Sequence, residues 1–145
     1  MTEVAFHFNT PDKTAYVCRL LRKAVARGAK VVVTAEAQEL QALDVALWTF
    51  APLDFVPHCR DSAQAAMLAS SPVLLTQAVP AAWHQQVLIN LGDEVPDGFE
   101  RFERLIEIVG VQDDDRVQAR GRWKHYADRG YAITRHDVAS RSPSQ

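Results

Sequence analysis

With 145 residues, 48% of them apolar and 23% charged, the chain has the size and composition of one globular domain with a real core, which excludes an intrinsically disordered polymer. A formal net charge of −2 excludes a protein that attracts polyanions over its whole surface, so any anion binding must rest on a local patch. The two cysteines, Cys18 and Cys59, lack CxxC spacing and read as free thiols of a reducing compartment.

The opening "MTEVAFHFNT" has no basic start followed by a long apolar run, so no secretory leader is expected. No apolar stretch approaches the roughly 20 residues that cross a bilayer, and no membrane association is expected. "EVAFHF" (3–8) alternates, with Val4, Phe6 and Phe8 on one face, and predicts a first strand. "NTPDK" is a turn; Thr10 as N-cap and Pro11 at the first helical position start a helix over 11–27. Its Val17, Leu20, Leu21, Ala24 and Val25 recur at helical spacing, and Gly28 stops it.

"AKVVVTA" (29–35) is the β-branched run of a strand buried on both faces, and a second helix follows over 37–48. This β-α-β-α opening predicts an α/β domain, a three-layer sandwich with a mostly parallel sheet flanked by helices. The stretch "TFAPLDFVPHC" (49–59) breaks the regularity at Pro52 and Pro57. "SPVLLTQ" (71–77) and "QVLINLG" (86–92) read as strands, "DGFERF" as the start of a helix, "RLIEIVG" (104–110) as a strand and 113–129 as the last helix. "DVASRSPSQ" has too little apolar content to pack, so the expected organisation is a single domain over 1–138 and a flexible tail over 139–145.

The chemistry such a fold often carries is missing. A phosphate cradle needs glycines after an early strand, because backbone amides must approach the phosphates closely. This chain has "NTPDKT" and "TAEAQE" there, and Glu36 and Glu39 would repel a phosphate. No phosphate-binding loop, and hence no nucleotide cofactor, is expected. His58 and Cys59 are adjacent and would point to opposite faces of a strand; the other histidines are scattered, and no metal site is expected. Asp113, Asp114 and Asp115 lack calcium-loop spacing and suit the positive end of a helix, one of them as its cap. There is no GxSxG, and no catalytic residue emerges.

What the sequence offers instead is surfaces. Trp48, Phe50, Leu53, Phe55 and Val56 crowd around two prolines, either as core or as an exposed patch for a partner. Between 116 and 135 stand Arg116, Arg120, Arg122, Lys124, Arg129 and Arg135 against the single acid Asp128, while 93 to 115 carries nine acids against Arg101 and Arg104. Arg116, Arg120, Trp123 and Lys124 fall on one helical stripe. A cationic stripe with an aromatic in it suits an acidic peptide carrying an apolar anchor. A solvated helix face and a direct single-stranded nucleic-acid-binding module, stacking bases on Trp123, Tyr126 and Tyr131, are the alternatives.

"ALW" followed by "FVPH", the segment "ARGRWKHYADRGYAI", the strand "FHF" and "GAKVVVTAEA" together resemble the chi subunit of bacterial DNA polymerase III holoenzyme, over nearly the whole chain up to about residue 138. The resemblance implies a Rossmann-like sandwich without the nucleotide loop. It implies a non-catalytic accessory subunit of the clamp-loader complex of a DNA-directed DNA polymerase, in the bacterial cytoplasm at the nucleoid-associated replisome. Its partners would be the psi subunit and the acidic C-terminal tail of single-stranded DNA-binding protein, with DNA reached only indirectly. The chain would be a monomer or a heterodimer with psi. Carried over residue by residue, the tail-binding positions are Arg116, Arg120, Trp123, Lys124, Tyr131 and Ile133, and the psi-side positions are Phe55 and Val109. Trp123 stands where a tyrosine is common and Arg116 where a lysine is common.

Overall fold

A computed structural model describes residues 1–49, 57–60, 71–79 and 85–139. The chain runs β1 (Glu3–Thr10), α1 (Lys13–Ala26), β2 (Val31–Thr34), α2 (Ala37–Thr49), β3 (His58–Arg60), β4 (Val73–Thr76), β5 (Val87–Asn90), a 3-10 turn (Phe99–Arg101), β6 (Arg104–Gly110), α3 (Asp113–Asp128) and β7 (Ile133–Asp137). The strands form one sheet in the order β3-β4-β2-β5-β6-β1-β7, and every pairing is parallel. Parallel strands need crossovers that cover the faces of the sheet, which is why β2 and β4 are buried throughout: all four residues of "VVVT" and of "VLLT" are buried.

Period-2 alternation sorts the core into two layers. Val31, Val33, Leu75, Ile89, Ile106 and Ile108 face α1 and α2, where Val17, Cys18, Leu21, Leu40 and Leu43 cover them. Val4, Phe6, Val32, Leu88, Leu105 and Val109 face the other way, against Ala119 and Tyr126 of α3 and against Phe99 and Phe102. The result is the expected three-layer sandwich, with α3 alone among the described helices on the second face.

Local differences from the sequence reading have physical reasons. Asp12, not Thr10, caps α1: its carboxylate accepts the Ala15 N–H at 3.1 Å, while Thr10 is still the buried last residue of β1. Gly28 ends the helix region as expected, in the left-handed conformation (φ 79). "DGFERF" makes only a 3-10 turn, because Phe99 and Phe102 both turn into the core and Phe102 is already extended toward β6. None of the acids 113–115 caps α3; the N-cap is Gln112, without a side-chain bond. Two short strands were not anticipated, β3 and the polar edge strand β7, whose "ITRHD" reads as loop. Beyond β7, Val138 still packs on the α1/α2 core and its N–H reaches Phe8 O at 3.0 Å. Residues 140–145 of the expected tail, and Phe55, lie outside the described residues.

Candidate functional site

A groove of about 660 Å³ runs between α3 and the edge formed by β1 and β7. Its floor is apolar: Phe6 and Val109 come up from the sheet and Ala119 from α3, all buried. Trp123 leans over it, its ring centroid 5.1 Å from that of Phe6. Three guanidiniums surround this floor. Arg116 and Arg120 project from successive turns of α3, and Arg135 rises from β7. The Arg135 Cζ lies 5.2 Å from the centroid of Phe8 and 5.9 Å from that of Trp123, placing the cation against two aromatic faces. Arg120 has no hydrogen-bond or ion-pair partner among the described residues, so its donors are available to a ligand.

Beneath the groove, a buried polar network holds α3 on the sheet. Glu107, fully buried in β6, accepts from Arg122 Nε at 2.9 Å, from the Tyr126 hydroxyl at 2.5 Å and from Asn90 Nδ2 at 3.0 Å. Arg122 Nη1 also donates to the Asp93 carbonyl at 2.9 Å. Burial pushes the Glu107 carboxyl above its usual range, against the pull of Arg122 and the hydrogen bonds. Burial, reinforced by the Glu107 charge, likewise raises the Tyr126 phenol, which stays protonated and donates. Arg122 and Tyr126, four residues apart, thus point inward from α3, which turns Arg116 and Arg120 outward.

Residues 1–134 match the family described as DNA polymerase III chi subunit, HolC. The chain belongs to the DNA polymerase III chi subunit family. DNA polymerase III subunit chi of Pseudomonas aeruginosa is 33% identical over 141 residues, covering 94% of this chain and 96% of that one. Its counterpart from Haemophilus influenzae is 30% identical over 130 residues, covering 83% and 84%.

Of the residues singled out in this chi-family sequence, Arg116, Arg120 and Trp123 come together in the groove. Lys124 is exposed one turn beyond Arg120 and does not line it. Ile133 is half-buried against the core on the α3 side. Tyr131 is not brought into the groove. It follows the end of α3 and stacks near Phe99 (5.2 Å), in a separate hollow with His125 and Arg129. Val109, matched to the psi side from the sequence, lies on β6. It is 3% exposed, lies beneath the groove, and is separated from β3 by β4, β2 and β5. Alternation explains this, since Val109 shares the α3-facing side of β6 with Leu105 and Glu107.

Phe6, Phe8, Asn9 and Arg135 were not anticipated as parts of the site, and neither was Glu107. For Glu107 a signal existed: a single acid inside the apolar run "RLIEIVG" must find a buried partner, which the fold supplies as Arg122. Among the described residues no group of three or more His, Cys, Asp or Glu is arranged to hold a metal ion.

Proposed function

We propose that this chi-family chain is a non-catalytic accessory subunit of the clamp-loader complex, at the cytoplasmic replisome, and that its α3 groove holds the acidic C-terminal tail of single-stranded DNA-binding protein. The observation that carries the reading is the set of Arg116, Arg120 and Arg135 around the apolar floor of Phe6, Val109 and Trp123. Guanidiniums match carboxylates in a bidentate way, and the floor accepts an apolar terminal side chain. In this reading Arg120 takes the terminal carboxylate, Lys124 and Arg116 attract upstream acids, and a terminal aromatic lies against Trp123. The psi subunit is the second partner in this reading, with Phe55 as its contact residue.

The test is calorimetric titration of an acidic peptide ending in phenylalanine into the wild type, Arg120→Ala and Arg129→Ala. Arg129 is off the groove, its Nη1 bonded to the His125 carbonyl at 3.1 Å. Arg120→Ala should weaken binding about tenfold, or roughly 1.4 kcal/mol, while Arg129→Ala changes it little. Binding should weaken as salt rises. Equal losses in both variants would mean diffuse charge attraction, and wild-type affinity in Arg120→Ala would put the tail elsewhere. Tighter binding of a single-stranded oligonucleotide than of the peptide, lost in the same variant, would favour direct nucleic-acid binding.

A further inference from the structure

Asn9, next to last in β1, takes the left-handed backbone region (φ 58) and is the non-glycine residue with positive φ among the described residues. The register of β1 on β6 shifts between His7 and Thr10, so a bulge places Asn9 at the end of the groove, where it lines the wall. Both ends of its amide are engaged. Oδ1 accepts from Arg116 Nη2 at 3.0 Å, and Nδ2 donates to Asp137 Oδ1 at 3.1 Å. A guanidinium only donates and a carboxylate only accepts, so the two partners fix the amide's orientation. One neutral side chain therefore ties the ends of β1 and β7 to the first turn of α3.

The neutrality matters. An aspartate at this position would also accept from Arg116, but it would cancel the positive charge. An amide oxygen holds the guanidinium and leaves its charge in the groove. Asparagine is also among the residues that tolerate the left-handed region best. We propose that Asn9 is a positioning residue of the groove, steering the Arg116 guanidinium with a neutral acceptor so that its full charge meets an acidic peptide segment. This rests on the peptide-binding reading above.

The test titrates the same acidic peptide, over a range of salt, into the wild type, Asn9→Gly, Asn9→Asp, Arg116→Ala and Asn9→Gly/Arg116→Ala, with circular dichroism melts to confirm folding. Glycine adopts the φ of Asn9 without strain and removes only the amide, so Asn9→Gly is the arm that decides if the aspartate variant folds poorly beside Asp137. Asn9→Gly should weaken binding about threefold and Arg116→Ala about fivefold, with the double variant no weaker than Arg116→Ala, because the two residues act as one unit. Asn9→Asp should lose about tenfold at low salt and show a flatter salt dependence, one cation having been neutralised. Wild-type affinity in Asn9→Gly, or a loss that adds in full to that of Arg116→Ala, would overturn the proposal and leave Asn9 a purely structural tie. If the wild type binds no acidic peptide, the peptide reading falls and takes this proposal with it, a result distinct from binding that is indifferent to Asn9.

Discussion

Replacing Glu107 by alanine tests whether the buried network holds the groove together. Glu107 is 0% exposed and Arg122 3% exposed, at 2.9 Å. Glu107→Ala leaves the guanidinium inside with the Asp93 carbonyl as its acceptor, and takes the acceptor from the Tyr126 hydroxyl. Breaking one side of a buried pair typically costs about 3–5 kcal/mol, because the remaining charge is uncompensated. Against roughly 5–15 kcal/mol for a whole domain, that is a large share of the stability. Glu107→Gln keeps the shape and one acceptor, and should cost about 1–3 kcal/mol. Glu107→Ala combined with Arg122→Met removes both charges and should be less destabilised than the sum of the two single changes. The assay is urea unfolding followed by far-ultraviolet circular dichroism, with tryptophan fluorescence as a second probe. A cost below about 1 kcal/mol for Glu107→Ala, or full additivity in the double variant, would refute the idea that this pair anchors α3.

Two further expectations concern other parts of the molecule. The Cys18 thiol is 0% exposed and burial pushes it up to about 11 from an ordinary 9.0, so its contribution to stability is fully present below pH 9.0 and is lost as pH rises toward 11. At neutral pH it should react with a disulfide reagent far more slowly in the folded protein than in urea, and rapid native labelling mapped to Cys18 by mass spectrometry would contradict that burial. For the proposed psi contact, Phe55→Ala should weaken pairing by about 2 kcal/mol in a pull-down or titration while leaving the melting temperature nearly unchanged. A drop of several degrees would make Phe55 a core residue instead.

How far the site could be read in advance differs by residue. Arg116, Arg120 and Trp123 were legible because a single helix sets their stripe, and helical spacing is visible in sequence. Composition misleads for Arg122, which was counted among the cations of 116–135 yet is buried on Glu107. The floor was hidden for another reason. Phe6 and Phe8 are more than 100 residues from Trp123 in the chain, and only the pairing of β1 between β6 and β7 brings them beneath α3. β7 was missed because an edge strand needs one paired side and little burial, so "ITRHD" can be polar and still extended. With it went Arg135, the cation over Trp123. Strands β2 and β4, buried on both faces, announced themselves by continuous apolar runs.

The position of the groove also follows from what happens at the crevice where doubly wound folds usually take their ligands, at the carboxyl ends of the strands. Here that crevice is a hollow of about 600 Å³ lined by Asp12, Lys13, Glu39, Asp93, Asp114 and Asp115 among others. Its cation, Lys13, is already engaged by Asp115 at 3.2 Å and Glu39 at 3.8 Å. Burial raises the Glu39 carboxyl, opposed by Lys13 and supported by the negative charges of Asp93 and Asp115. Asp115 also accepts the Gly110 N–H at 2.6 Å, and a Cβ on Gly110 would come within 2.9 Å of that carboxylate. A glycine that admits an anion to its backbone amide is the device of a phosphate cradle, but the anion here is the protein's own side chain. The crevice therefore repels phosphates with its acids and gives a strand-end amide to Asp115. The same helix that closes it carries Arg116 and Arg120 on its flank, away from those acids, so the net attraction for an anionic partner lies beside α3 and not at its start.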